Sequence, residues 1–360
     1  DTFTRWQLAG DEFAPDNPLA LMATGFLAAG THATQITKNQ VEKERYDELD
    51  DKLATTGTVF LGLTFGCARC HDHKFDAITQ AEYYRMVSTF TKTVRSDFPI
   101  NLDPEGFRIA HARWQSAHDP LRDAWQEFER SELPARFEQW LRGDRPVDAK
   151  VTKPAPIAPL LAKPVDQLTA AERARLQQWF GTAVDPRGGE LHRRFEQHAK
   201  LEPQWPRVLI CSEGVPAVRT HTQGGDYLEA THFLQRGDPN RKQWVAEQSF
   251  LSVLMKSPTG ERRWQEPPLE GGRTPFRRRA LANWLTDVEA GAGQLLARVI
   301  ANRLWQHHFG RGLVVTPSDF GTQGERPSHP ELLDWLARDL IDHGWTLKRV
   351  HRMMLTSATY

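Results

Sequence analysis

Two of the three cysteines in this 360-residue chain stand three positions apart, in Cys67-Ala68-Arg69-Cys70-His71, and the third, Cys211, is alone. So few thiols exclude a disulfide framework, and the chain must hold itself together by burying apolar side chains. It is long enough to do so in two or three domains. Apolar residues make up 39% of it and charged residues 26%, and no run approaches the roughly 20 apolar residues that cross a bilayer. Lys plus Arg and Asp plus Glu number 46 each, so no global charge draws the chain to nucleic acid or to a membrane surface. Any charged partner has to meet a local patch. No leader pattern precedes the first apolar stretch, and we expect a piece of a larger exported protein whose signal peptide lies outside this sequence.

Hydrophobic patterning makes the fold mainly α. Pro15, Asn17 and Pro18 punctuate a loop before the apolar stretch 19–29, and Asp47, Glu48, Asp50 and Asp51 lead into the apolar run 59–65. Tyr83, Tyr84, Met86, Val87 and Phe90 then continue at helical spacing, so the cysteine pair sits on a turn between two helical segments. Trp114, Leu121, Trp125, Phe128, Phe137 and Trp140 predict an amphipathic helical pair over 108–142, broken near Pro134. A Pro-rich linker (Pro154, Pro156, Pro159, Pro164) precedes a second helical stretch at 170–200, interrupted around 186–189. Val208-Leu209-Ile210-Cys211 and residues 230–234 read as short strands, with turns at Gly224-Gly225 and Gly237-Asp238-Pro239. Helices return at 277–285 and 295–309, the second closed by Gly310. Ser328-His329-Pro330-Glu331 has capping-box spacing and opens a helix over 332–341, and Thr346 starts the last one. The expected organisation is a helical N-terminal domain (1–105), a helical spacer (106–204), a small β-rich insert (205–260) and a truncated helical C-terminal domain (261–360).

The motif carries the chemistry. Two thiols three apart followed by His fit covalent haem attachment, in which Cys67 and Cys70 form thioethers with the porphyrin and His71 ligates the iron. The neighbourhood opens a second reading. Cys67, Cys70, His71 or His73, and Asp76 have the donor types for a non-haem zinc or iron site. In the haem reading the opposite axial ligand is open among Met22, His32, His221, His232 and His329, since His73 is too near His71 and Met86 too far along a helix. A reduced, chemically inert cysteine pair is the third option.

At this point the chain resembles the planctomycete cytochrome-like domain of unknown function. The resemblance is carried by Tyr46-Asp47-Glu48-Leu49-Asp50-Asp51, Thr55-Thr56-Gly57, Phe60-Leu61-Gly62-Leu63-Thr64 and the stretch 67–76, with Gly10-Asp11-Glu12 and Ala23-Thr24-Gly25-Phe26-Leu27 upstream. The C-terminal part resembles the planctomycete-specific domain that accompanies it, through Arg279-Ala280-Leu281-Ala282, Asn302-Arg303-Leu304-Trp305-Gln306-His307, Phe309-Gly310-Arg311-Gly312-Leu313 and the stretch 329–335. The resemblance implies a large exported protein. It implies no activity.

Other candidates remain beside their plain structural readings. Asp47, Asp50 and Asp51 share a helical face, either to bind metal or act as an acid/base pair, or simply as a solvated helix start. Arg303, His307, His308 and Arg311 would meet an anion or a haem, or else belong to a helical core. Arg277 to Arg279, with Arg262, Arg263 and Arg273, would bind acidic or sulfated polysaccharide or form an exposed helix start. Cys211 reads as a small buried hydrophobe. Three functions follow: an exported periplasmic or cell-surface haem c protein with a redox partner, an exported metal-dependent enzyme acting on polysaccharide, or a structural surface protein. We also expect the two recognised ends to pack on each other and to share the haem or metal pocket.

Overall fold

The computed structural model describes residues 1–33, 37, 39–213, 228–257, 259–272 and 274–360. The chain is mainly helical, as its patterning predicts. In order its elements are α1 (Thr2–Phe13), α2 (Pro18–Ala23), α3 (Gly25–Ala28), α4 (Val41–Thr56), α5 (Gln80–Val87), β1 (Val94–Pro99), α6 (Pro104–Glu127), α7 (Leu133–Arg142), α8 (Ala158–Ala162), α9 (Ala170–Trp179), α10 (Pro186–Ala199), β2 (Arg207–Ser212), β3 (His232–Leu234), β4 (Lys242–Val245), α11 (Arg277–Thr286), α12 (Gly293–Phe309), α13 (Pro330–Asp342) and α14 (Leu347–Leu355). They form two compact units, one of residues 1–100 with 207–360 and the other of residues 101–206.

Local chemistry sets several boundaries. Asn17 accepts from the backbone N–H groups of Leu19 and Ala20, and Pro18 occupies the first turn of α2, where its missing N–H costs nothing. A capping box opens α5, with the Thr79 hydroxyl accepting from Glu82 N–H while the Glu82 carboxylate accepts from Thr79 N–H. Gly310, at φ 78, closes α12 in the left-handed conformation. The expected capping box at Ser328 is absent. Pro330 is the first residue of α13, so His329 is the cap residue and Glu331 falls one position too early to reach back. Ser328 instead meets His329 Nδ1 at 3.1 Å.

In the first unit, β1 and β2 pair antiparallel from Val94 opposite Ser212 to Pro99 opposite Arg207, and β3 and β4 form a hairpin. The core gathers Leu8, Leu53, Phe90, Leu281, Trp284 and Leu296, thus joining α1 and α4 to α11 and α12. The recognised ends therefore pack on each other, as expected. In the second unit, Trp125, Phe128, Phe137, Trp140, Leu176 and Phe180 form a separate aromatic core. Pro134 sits in the first turn of α7 and Pro186 in that of α10, where the pattern predicted breaks.

The polybasic run 277–279 is not an exposed helix start. Arg278 is fully buried. Its Nη1 and Nη2 donate to the two carboxylate oxygens of Asp11 at 2.8 and 2.6 Å. Glu12 lies 3.1 Å and Glu213 3.5 Å from the same guanidinium. The carboxylates have further donors, from Arg279 N–H and the Thr274 hydroxyl to Glu12 and from the Thr93 hydroxyl to Glu213. Arg277 donates to the Ser88 carbonyl, and Arg279 lies over the Phe13 ring. Arg262 and Arg263 are exposed, and Arg273 lies outside the described residues.

Candidate functional site

The cysteine motif occupies a tight 3-10 turn, Gly66–Arg69, followed by a loop into α5. Ala68 is fully buried and pins the middle of the turn, whereas Cys67 and Cys70 are exposed free thiols. The one small side chain between the two thiols is thus buried while both cysteines stay exposed.

Arg69 fixes the turn from below. Its Nη2 donates to Asp47 Oδ1 at 2.5 Å and its Nη1 to Asp50 Oδ2 at 3.4 Å. Its carbonyl accepts from the Tyr84 hydroxyl and from Gln80 Nε2, each at 2.9 Å. The Tyr83 hydroxyl donates to Asp50. Burial raises Asp47, but hydrogen bonds from Lys43 and Arg69 outweigh it and hold the carboxyl below its ordinary range. Burial first, then the Asp50 charge, keeps Tyr83 protonated far up the scale. Asp47 and Asp50 are therefore brought together on Arg69. Asp51, one residue on, points elsewhere, against Gly30, where a methyl group would collide with its carboxylate.

The β3–β4 hairpin lies over the other flank. Gly237, at φ 73, comes so close that a Cβ there would sit 3.0 Å from Cys70 Sγ, so both backbone sign and space demand glycine. Gln80 Nε2 also donates to the Leu234 carbonyl, tying the hairpin to the motif turn.

His71 is exposed, and its Nδ1 lies 2.7 Å from the Asp72 carbonyl. A carbonyl only accepts, so Nδ1 carries a proton, and in the neutral ring Nε2 presents the lone pair. That arrangement is the one a metal-ligating imidazole uses, with the backbone acceptor fixing tautomer and ring orientation. His73 is different. Its Nδ1 accepts the Asp76 N–H at 2.9 Å and its Nε2 meets the Thr64 hydroxyl at 3.3 Å. Asp76 in turn accepts the Thr322 N–H at 2.6 Å. His73 and Asp76 thus latch the motif loop to the loop before α13. The structure does not bring Cys67, Cys70, His73 and Asp76 together. Among the described residues, no three His, Cys, Asp or Glu side chains converge as a metal site.

A cavity of about 600 Å³ opens beside the far limb of this loop, lined by Leu63, Asp76 and Ile78 from the N-terminal part and Leu295, Arg298 and Phe320 from the C-terminal part. The two ends do share a cavity, but Cys67, Cys70 and His71 do not line it. The proposed axial partners are dispersed. Met22 is half-buried on α2, His32 is bound to Glu48 at 2.6 Å, His329 is exposed at the start of α13, and His221 lies outside the described residues. His232, on β3, has a buried Nδ1 without a hydrogen-bond partner. Arg303 is spent on the carbonyls of Thr58 and Val59, while His308 pairs with His351 at 2.8 Å. His307 and Arg311 are exposed, and Cys211 is fully buried. The residues that sequence reasoning missed are Arg69, Gln80, Tyr84 and Gly237. The sequence signal for Arg69 is its place inside the motif.

Comparison with family models bears out the resemblance at both ends. Residues 1–95 match PSCyt2, a protein of unknown function (DUF1549), and residues 277–360 match PSD1, a protein of unknown function (DUF1553). The two matches fall in the order that the resemblance implies. No curated protein and no solved structure matches it. Among the described residues no helix is long and apolar enough to cross a membrane.

Proposed function

We propose that this protein carries one haem c on Cys67 and Cys70, with His71 as an axial ligand, and exchanges electrons with a partner protein outside the cytoplasm. The observation that carries the reading is the state of the motif. Both thiols are free and exposed on one turn, and His71 holds Nδ1–H on the Asp72 carbonyl, which leaves Nε2 of the neutral ring as the donor. Attachment adds each S–H across a vinyl group: a C–S bond forms, the hydrogen goes to the neighbouring carbon, and nothing leaves. When bound, haem supplies a one-electron Fe(III)/Fe(II) couple. The chain's own part is to hold the sulfurs through Ala68 and Arg69 and to orient the imidazole through Asp72.

The test is the full chain expressed with a haem-attachment system. The expected product shows a Soret band that survives acid–acetone extraction, lost in Cys67→Ala/Cys70→Ala. His71→Ala should keep the covalent haem and change its axial spectrum. A colourless protein with two titratable exposed thiols would sink the reading. The polysaccharide reading has less support: Arg278 is engaged in the core and Asp47 and Asp50 are engaged by Arg69.

A further inference from the structure

The second unit holds four histidines along one helix pair, His111 and His118 on α6 and His192 and His198 on α10. Helices α6 and α10 pack against each other there. Trp114 Nε1 donates to the His198 carbonyl at 3.0 Å, fixing the end of α10. The Trp114 ring stacks on His118 with centroids 4.4 Å apart and an interplanar angle of 17°. Phe195 closes on the same imidazole at 5.0 Å. His118 is 9% exposed, and its Nδ1 faces His198 Nδ1 across 3.3 Å.

That separation is informative. The separation is within reach of an N–H···N bond but is longer than that of the other imidazole pair, His308 and His351, at 2.8 Å. Two nitrogens bound to one tetrahedral ion at about 2.0–2.1 Å each stand roughly 3.3–3.4 Å apart. His118 and His198 have the second spacing, with ring planes at 25° and centroids 5.5 Å apart. We propose that His118 Nδ1 and His198 Nδ1 bind one zinc-type divalent ion that clips α6 to α10, with water in the remaining positions. In the neutral pair each ring keeps one proton. Binding requires both protons on Nε2, so the ring that carries Nδ1–H changes tautomer through solvent and no net proton is released. If one ring enters as imidazolium, one proton leaves.

His111 and His192 are not part of the site. His111 faces Glu202 at 3.5 Å, and His192 packs on Trp125. Two imidazoles without a third protein ligand give a modest site, responsive to supply rather than permanently loaded.

The experiment uses untagged full-length protein in a Cys67→Ala/Cys70→Ala background, so that the motif thiols do not compete. Zn²⁺ is titrated by calorimetry, and Co²⁺ serves as a spectroscopic substitute. The expected result is one Zn²⁺ per chain, intense visible bands of four-coordinate Co²⁺, and at least a tenfold loss of affinity in His198→Gln and in His118→Gln. His198 is half-exposed, so its substitution spares the core and decides the matter if His118→Gln fails to fold. His308→Gln/His351→Gln should bind as the parent does. Unchanged affinity in His198→Gln, or loss of binding in the His308/His351 variant, overturns the proposal.

Discussion

Two arginines in the first unit are held by carboxylates from distant helices, and their surroundings make them opposites. Arg278 is fully buried, with Asp11, Glu12 and Glu213 around it. Arg69 is half-exposed, with Asp47 and Asp50. Buried, the cluster carries more negative than positive charge, and burial, against the pull of Arg278, pushes Glu12 up to about 7. At the surface, the same type of pair holds Asp47 down. The first arrangement is a structural joint between the two ends of the chain. The second is a platform that positions a chemical motif while leaving its sulfurs in solvent.

The largest effect should come from breaking the buried joint. Arg278→Ala leaves carboxylates in the core without their cation, which typically costs about 3–5 kcal/mol. Denaturant unfolding should show that loss, or the chain should not accumulate folded at all. A loss below about 1 kcal/mol would mean water or rearrangement replaces the guanidinium, and the contrast with Arg69 would collapse.

The two clusters also predict opposite responses to pH. A carboxyl raised in the folded state binds its proton more tightly there than when unfolded. Glu12 therefore contributes stability that is fully present below its ordinary value of 4.5 and lost as pH rises through about 7. Glu213, also raised by burial, acts in the same direction. Asp47 is lowered, so its contribution is present above its ordinary 3.8 and lost as pH falls further. Unfolding midpoints of the parent should fall between pH 5 and 7.5, and Glu12→Gln should flatten that slope. A slope of the same size in Glu12→Gln would assign it to other groups.

This contrast was only partly legible in the sequence. Periodicity and punctuation located α12, its end at Gly310, α14 and the buried strand around Cys211, because those signals are local. The cysteine motif was equally plain. What sets each arginine's role is remote: Asp11 lies 267 positions from Arg278 and Asp47 lies 22 from Arg69. Three consecutive arginines look like a solvated helix start, and nothing local shows that the middle one faces inward. Gly10-Asp11-Glu12 was visible as a family feature, yet its burial follows from α1 packing on α11.

Arg69→Ala should weaken stability by about 1 kcal/mol, since its hydrogen bonds are to charged groups but half-exposed. Its larger consequence should be chemical. With the turn no longer tied to α4, haem attached per chain should fall in Arg69→Ala while Arg69→Lys partly restores it. Full occupancy in Arg69→Ala would show that Ala68 and the Tyr84 and Gln80 bonds suffice to present the sulfurs.

The smallest effect belongs to Lys43, and it tests whether the platform works by contact or by field. Lys43 donates to Asp47 at 2.6 Å, so on distance alone it resembles Arg69. It differs in being an exposed amine on a flexible stem, reaching its partner within one helix at the four-residue spacing. Such pairs trade Coulomb attraction against side-chain entropy and are screened by salt. Removing it leaves Asp47 with Arg69, whose bond comes from a different element and restrains the motif turn. Lys43→Ala at physiological ionic strength should therefore leave both the unfolding midpoint and the haem content unchanged within error, while Arg69→Ala lowers both. Equal losses in the two variants would mean that positive charge near Asp47 matters more than the bond that Arg69 makes, and the platform would then be electrostatic rather than mechanical.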